Sequence, residues 1–154
     1  MTNHCGSCTA CCKVFAIPER LNKPANKWCQ HCHIGVGCKI YEDRPVTCVE
    51  FECIWLQSQA QPKPFPAELR PDRSKVVFSA TTRPDIMVAT TMDGSPLAWQ
   101  RKDVRALIDS LIHAGMKVVV GSAVSTTKTM ITREGTRTVH MTQPDENGIQ
   151  WNID

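Results

Sequence analysis

The sequence has few aromatic side chains and no cluster of charges of one sign. Aromatic residues make up 6% of its 154 residues, with a single Tyr. Lys and Arg total 18 against 15 Asp and Glu, and the basic residues form no block. A surface that follows nucleic-acid phosphates shows clustered Lys and Arg. We therefore expect no nucleic-acid partner.

Long hydrophobic runs are also absent. No stretch approaches the roughly 18 apolar residues of a membrane-spanning helix. The opening "MTNHCGSCTA" has no basic segment followed by an apolar one, as a secretory leader would have. We therefore expect a cytoplasmic protein without a membrane partner.

Familiar catalytic fingerprints are missing as well. The sequence contains no G-x-S-x-G, no H-E-x-x-H, no P-loop and no dinucleotide-binding fingerprint. It also lacks internal repeats and low-complexity tracts. The sequence therefore indicates no particular reaction, and whether the protein is an enzyme stays open.

Cysteine is the residue present in excess, and only in the first third of the chain. In a reducing cytosol, clustered thiols bind metal more often than they form disulfides, and an odd number cannot pair completely. We therefore predict a metal site. The predicted ligand set comprises Cys5, Cys8, Cys11, Cys12, Cys29, Cys32, Cys38, Cys48 and Cys53.

The spacing of these cysteines supports metal binding but leaves the metal open. Three C-x2-C pairs occur within residues 5–32. One tight turn in such a pair directs two sulfurs at one ion. Two pairs complete a thiolate zinc site or hold an iron–sulfur cluster, of which a [4Fe–4S] cluster is one form. Zinc and iron are thus both candidates.

The adjacent cysteines Cys11 and Cys12 bear on how many metal sites the chain can form. On an extended backbone neighbouring side chains point in opposite directions. We therefore expect the two thiols to serve different metals, or one to bind metal and the other to pack. The nine thiols suffice for two four-coordinate sites with one left over, or for one four-cysteine site beside a more open one.

Two polar neighbours fit the charge of such a site. Four thiolates on a divalent metal carry a net charge of −2, which is costly to bury without hydrogen bonds. Arg44 lies between Cys38 and Cys48 and has five N–H donors. His31 precedes Cys32, and with nine thiols available we assign it to the surroundings of the metal rather than to its ligands.

The cysteine pattern resembles a known family. "CGSCTACC" and "GCKIYEDRPVTC" are similar to the two conserved parts of the CxxCxxCC cysteine-cluster family, small bacterial proteins described as zinc- or iron-chelating domains. The second part of that pattern has the form C-x-x-Y-x-x-R-P-x-x-C. Its residues correspond here to Cys38, Tyr41, Arg44, Pro45 and Cys48.

The resemblance covers residues 5–56 and implies a ligand set with Tyr41 beside it. It does not imply a reaction. The same cluster occurs in relatives of flagellin lysine methylase, so it can be attached to enzymes, but this chain has no Gly-rich S-adenosylmethionine loop.

The remaining patterns predict an α+β fold in three parts. Residues 1–56 form a cysteine-rich module held together by metal, and residues 57–73 form a Pro-rich strap. Residues 74–154 form a small antiparallel sheet with one main helix. The helix is expected in "RKDVRALIDSLIHAG", whose apolar residues recur at helical spacing before a glycine.

Three functions compete at this point. In the first, the cysteines hold zinc or iron in a structural, carrier or sensor role while the C-terminal unit contacts a protein partner. In the second, an iron or iron–sulfur centre with an open coordination position serves as a metalloenzyme or redox protein. Thiol–disulfide exchange is weaker, because no C-x-x-C precedes a helix in a βαβ frame.

Overall fold

The computed structural model describes residues 5–141 and 151–152. Within those residues the chain mixes helices and sheets, as expected for an α+β protein, with five α-helices and two sheets. The elements are α1 (Ala10–Val14), β1 (Cys32–His33), β2 (Gly37–Cys38), α2 (Val46–Glu50), α3 (Ile54–Ser58), α4 (Pro71–Ser74), β3 (Val76–Ala80), β4 (Ile86–Thr91), α5 (Lys102–His113), β5 (Lys117–Ser122), β6 (Thr127–Thr132), β7 (Gly135–Met141) and β8 (Trp151–Asn152).

The larger sheet has the strand order β3-β4-β5-β6-β7-β8. Its neighbours are antiparallel except for β4 and β5, which run parallel. The prediction of an antiparallel sheet was therefore wrong for this pair. The reason is that α5 connects β4 to β5 and returns the chain to the end of the sheet from which β4 began, as a crossover helix does.

Helix α5 covers one face of this sheet, as its sequence pattern predicted. Val104, Ile108 and Ile112 are buried and pack against strand residues that include Phe78 and Val118. The helix ends before Gly115, whose φ of +96° is the left-handed conformation that favours glycine after a helix. Within the described residues, no helix is long and apolar enough to cross a bilayer.

The cysteine-rich segment has short elements joined by turns. Residues 12–22, "CKVFAIPERLN", have a pattern that suggests one strand or turn. They complete α1 and then form a turn and an isolated β-bridge between Ile17 and Lys23, so the suggestion holds for the part after the helix. "PVTCVEFECIWL" has apolar residues at i, i+3 and i+4, which predict one short helix. This stretch is divided into α2 and α3, because residues 51–53 adopt no helical conformation. The prolines of the strap do not keep it extended throughout, since Ala67–Leu69 form a 3₁₀ turn and α4 begins at Pro71.

Contacts cross the expected boundaries between the three parts. Ala10 and Val14 of α1 pack with Val77 and Met92 on the face of the sheet opposite α5. From the strap, Phe65 packs against the core beneath α5. The division at residues 56 and 73 stays a prediction, but the cysteine-rich segment shares buried side chains with the sheet.

Because Val14 is fully buried against the sheet, we expect Val14→Ala to destabilise the whole chain. Loss of two methyl groups and the remaining cavity should lower the free energy of unfolding by about 2 kcal/mol. Urea denaturation followed by circular dichroism measures this. Val124→Ala is the control, because Val124 is exposed and its truncation should change stability by less than about 0.5 kcal/mol. An unchanged transition in Val14→Ala would show that the segment and the sheet unfold independently.

Candidate metal centre

Short turns place the cysteines of each C-x2-C pair. The Cys8 N–H donates to the Cys5 carbonyl at 3.0 Å, and the Cys32 N–H donates to the Cys29 carbonyl at 3.0 Å. Gly6 allows the first turn by adopting a φ of +58°. Each hydrogen bond brings the two ends of its pair together, which is the local geometry that the spacing predicts.

Two further backbone contacts join the distant parts of the cysteine-rich segment. The Cys29 N–H donates to the Cys12 carbonyl at 3.0 Å, so the second pair lies beside α1. Cys32 and Cys38 face each other across the β1–β2 hairpin. All nine cysteines are half-buried free thiols. The fold thus gathers cysteines that are far apart in sequence without linking them by disulfides.

Cys11 and Cys12 do not point in opposite directions, as an extended backbone would require. Both lie in α1, where successive side chains are about 100° apart. Their thiols are hydrogen-bonded to each other, Cys11 also contacts the Cys5 thiol, and Cys12 contacts the Cys32 thiol. Helix formation therefore links four sulfurs in the order Cys5, Cys11, Cys12, Cys32.

These contacts separate the acidities of the thiols. A hydrogen bond with Cys11 lowers the pKa of Cys5 to about 7 and the pKa of Cys12 to about 6. The same bonds raise the pKa of Cys11 well above its ordinary value. Burial raises the pKa of Cys32 to about 12 and that of Cys53 to about 11. Near neutral pH, Cys5 and Cys12 are the thiols most ready to act as thiolate ligands.

Two adjoining cavities are lined by the thiols. The narrow cavity has a volume of about 20 Å³, and the wide cavity about 680 Å³. The narrow cavity is lined by Cys5, Cys8, Cys11, Phe51, Cys53, Pro71 and Val77. The cysteines that line the wide cavity are Cys5, Cys8, Cys11, Cys12, Cys29, Cys38 and Cys48. Eight of the nine predicted ligands therefore lie at these cavities, and Cys32 contacts Cys12 beside them.

The side chains do not form a finished coordination shell. Among residues 5–141 and 151–152, no three His, Cys, Asp or Glu side chains are arranged to hold a metal ion. The donor chemistry nevertheless fits zinc and iron, which both accept all-thiolate ligation. A cysteine sulfur moves between staggered positions by rotation about one bond. The residues thus fit a metal by their chemistry, and binding requires the sulfurs to turn towards one another.

Lys23 is a buried cation at this centre that the sequence patterns did not reveal. Its side chain is 6% exposed, and its Nζ donates to the carbonyls of Lys13 at 3.1 Å, Pro24 at 3.0 Å and Phe15. The ion pairs of the described residues do not include Lys23. Burial lowers the pKa of Lys23, and thiols including Cys29 and Cys12 oppose that shift. The neighbouring thiols are therefore the groups that favour the charged form of Lys23.

Arg44 and Tyr41, which the sequence analysis placed around the metal, lie close to several of the thiols. The Arg44 Nε donates to the Tyr41 carbonyl at 2.8 Å, and the guanidinium lies 3.8 Å from the centre of the Tyr41 ring. Both residues line the wide cavity. The Arg44 charge acts on Cys5 and Cys12 and favours their thiolate forms, after the hydrogen bond with Cys11.

His31 contributes its backbone to the centre. Its N–H donates to the Cys29 sulfur at 3.4 Å, while its ring lies 3.4 Å from the side-chain amide of Gln30. The assignment of His31 outside the ligand set stays a prediction. An N–H group directed at sulfur stabilises a thiolate ligand irrespective of the side chain that follows it.

Fold and centre together define an α+β protein in which a thiol-lined pair of cavities adjoins a mixed sheet. Comparisons with protein families, with curated proteins and with solved structures found no match to this chain. The resemblance to the CxxCxxCC cysteine-cluster family therefore stays a prediction from the residues quoted above.

We predict different pH profiles of alkylation for the thiols of the reduced, metal-free protein. Iodoacetamide should modify Cys12 with a midpoint near pH 6 and Cys5 near pH 7, whereas Cys53 should react only towards pH 11. Peptide mass spectrometry after short pulses measures each site. Cys11→Ala is the control, because loss of its hydrogen bonds should move both low midpoints towards 9.0.

The sign of the effect on stability follows from the same values. The lowered pKa of Cys5 and Cys12 means that their thiolates stabilise the fold. That contribution is complete above the ordinary thiol pKa of 9.0 and is lost as the pH falls through about 7 and then about 6. Equal alkylation profiles for Cys12 and Cys53 would contradict this assignment of acidities.

Proposed function

We propose that this protein binds zinc or iron through the thiolates of its cysteine-rich segment, with iron held as an ion or in an iron–sulfur cluster. The observation that supports the proposal is the assembly of eight of the nine free thiols around two adjoining cavities, with Cys32 beside Cys12. Thiolates in such numbers are the donors that these metals prefer. The role is structural, or that of a metal carrier or sensor.

The segment also needs stabilisation that its own core does not supply. Between residues 5 and 53, four apolar side chains are buried, those of Ala10, Val14, Ile17 and Pro45. Ordering a backbone costs about 1–2 kcal/mol for each residue. A structural zinc site contributes about 10–16 kcal/mol. Metal–thiolate bonds therefore offset much of an ordering cost that four small or medium-sized apolar side chains cannot.

The charges around the thiols favour the same function. Lys23 is buried, and the ion pairs between described residues do not include it. Arg44 lines the wide cavity. Both cations act on Cys12. Four thiolates on a divalent ion leave two negative charges that need such partners when water is excluded.

The size of the wide cavity favours a second candidate function. Its volume of about 680 Å³ lies in the range of about 300–1,000 Å³ that is typical of small-molecule pockets. Phe15, Ile17 and Phe51 contribute apolar surface to it. A metal held at one side of this cavity could keep a coordination position for a substrate or an electron donor. The protein would then be a metalloenzyme or a redox protein.

We expect anaerobically purified protein to contain metal in stoichiometric amount. Elemental analysis, a sulfide assay and a visible spectrum separate the two metals, because zinc protein is colourless and iron–sulfur protein is brown. Removal of the metal with a chelator should lower the melting temperature, since the bond to metal is part of the folding free energy. Failure to bind Zn²⁺ and failure to incorporate iron on anaerobic reconstitution would together refute the proposal.

We expect Lys23→Met to weaken Zn²⁺ binding by about 10- to 100-fold, the usual effect of losing a partner of metal ligands. The variant removes the buried positive charge while retaining a long side chain. Competition with a chromophoric chelator measures the affinity. Lys39→Met is the matched control, because Lys39 is close to Cys38 in sequence but exposed, and its affinity should stay within about twofold. Equal loss in both variants would remove Lys23 from the centre.

A further inference from the structure

The two cavities divide the cysteines unequally. Cys53 lines only the narrow cavity. The cysteines that line only the wide cavity are Cys12, Cys29, Cys38 and Cys48. Cys5, Cys8 and Cys11 line both and thus separate the two spaces. The electrostatic interactions between cysteines follow the same division. Cys53 interacts with Cys5 and Cys8, whereas Cys48 interacts with Cys12, Cys29 and Cys38.

The narrow cavity has the size and composition of a site for one ion. A space that accommodates one water-sized sphere requires about 10–15 Å³, and this cavity has about 20 Å³. Its only sulfur-bearing residues are four cysteines, and Phe51, Pro71 and Val77 complete its lining. Four sulfurs around one small apolar space are the donor set of a closed, tetrahedral structural site.

Backbone groups lie close to two of the four sulfurs. Those of Ala10 and Asp72 act on the Cys8 thiol. Those of Leu56 and Trp55 act on the Cys53 thiol. N–H groups directed at sulfur orient thiolate ligands and offset their charge. Asp72 belongs to α4, so the surroundings of the narrow cavity include α4 as well as the cysteine-rich segment.

The wide cavity differs in each of these respects. Its volume is over thirty times that of the narrow cavity. One ion with four sulfurs around it would fill only a small part of this space. Arg44 and Tyr41 belong to its lining, and Lys23 lies close to its thiols. A metal bound here by Cys12, Cys29, Cys38 and Cys48 would face a space that other molecules can enter.

We propose that the cysteines form two metal sites of different kind. Cys5, Cys8, Cys11 and Cys53 bind one ion in a closed site that lies between the cysteine-rich segment and the sheet. Cys12, Cys29, Cys38 and Cys48, with Cys32 beside them, bind a second metal that exchanges with solvent through the wide cavity. This inference depends on the proposed metal binding, and it assigns the structural role to the first site and the carrier or sensor role to the second.

The closed site has a mechanical consequence for the fold. The lining of the narrow cavity includes Pro71 at the start of α4 and Val77 in β3. An ion in this cavity would therefore lie against both elements. Occupation of this site should therefore stabilise the packing of α1 on Val77 and Met92. Occupation of the wide cavity should affect that packing less.

Two single substitutions separate the sites. Zn²⁺ is added to reduced, metal-free protein in the presence of a chromophoric chelator, and bound equivalents are counted. We expect two equivalents in the unsubstituted chain. Cys53→Ser should lose the tighter one and retain the weaker, while Cys48→Ser should show the reverse. A single equivalent in the unsubstituted chain, or loss of the same equivalent in both variants, would overturn the two-site arrangement and leave metal binding intact.

A footprint on the unsubstituted chain avoids any folding defect of the variants. One equivalent of Zn²⁺ is added, and the protein is treated briefly with iodoacetamide and mapped by mass spectrometry. Relative to the metal-free protein treated in the same way, we expect the alkylation of Cys5 to fall, because Cys5 is the reactive thiol of the closed site. The alkylation of Cys29 and Cys38 should stay unchanged. A fall at Cys29 and Cys38 before any fall at Cys5 would overturn the assignment. Absence of any zinc or iron binding would instead overturn the proposed function itself, together with this inference.

Discussion

Contact among sulfur atoms organises the first third of this protein. The Cys11 thiol lies between those of Cys5 and Cys12, and Cys12 in turn contacts Cys32. Buried thiols at close range repel one another once they ionise, and desolvation penalises each charge. The arrangement is favourable only with cations at hand. Lys23 and Arg44 supply positive charge beside Cys12, and the metal that we propose would add to it.

The sheet gives this centre a rigid support. Strand β3 presents Phe78 and Val76 to the core beneath α5, and Val77 to the opposite face, where α1 packs. Alternation of side chains along a strand makes both contacts available to a single short element. The helix that contains two of the thiols is therefore held against the sheet, and Asp72 of α4 lies close to the Cys8 thiol.

Parts of this structure follow from local patterns. The apolar residues of α5 recur at helical spacing and the glycine after them adopts a positive φ, so that helix was predictable almost to the residue. The strands around "REG" pair as the hairpin signal indicates. The parallel pairing of β4 with β5 was not predicted. A strand–helix–strand segment has the same local sequence pattern whether its two strands pair in parallel or join the sheet in an antiparallel arrangement. The helical conformation of Cys11 and Cys12 was missed because α1 has only five residues, too few for a periodic pattern to be recognised.

The sequence by itself determined the chemistry available to this protein: nine thiols confined to one segment, the turns that bring C-x2-C pairs together, and the main helix of the sheet. These depend on residue type and short-range spacing. Only the tertiary structure decided which thiols share a cavity, that Cys53 lies apart from Cys48, and that Lys23 is buried among the carbonyls of α1 and its neighbours. The physical reason is that these contacts join residues distant in the chain, and their proximity results from the packing of α1, the strap and β3 as a whole.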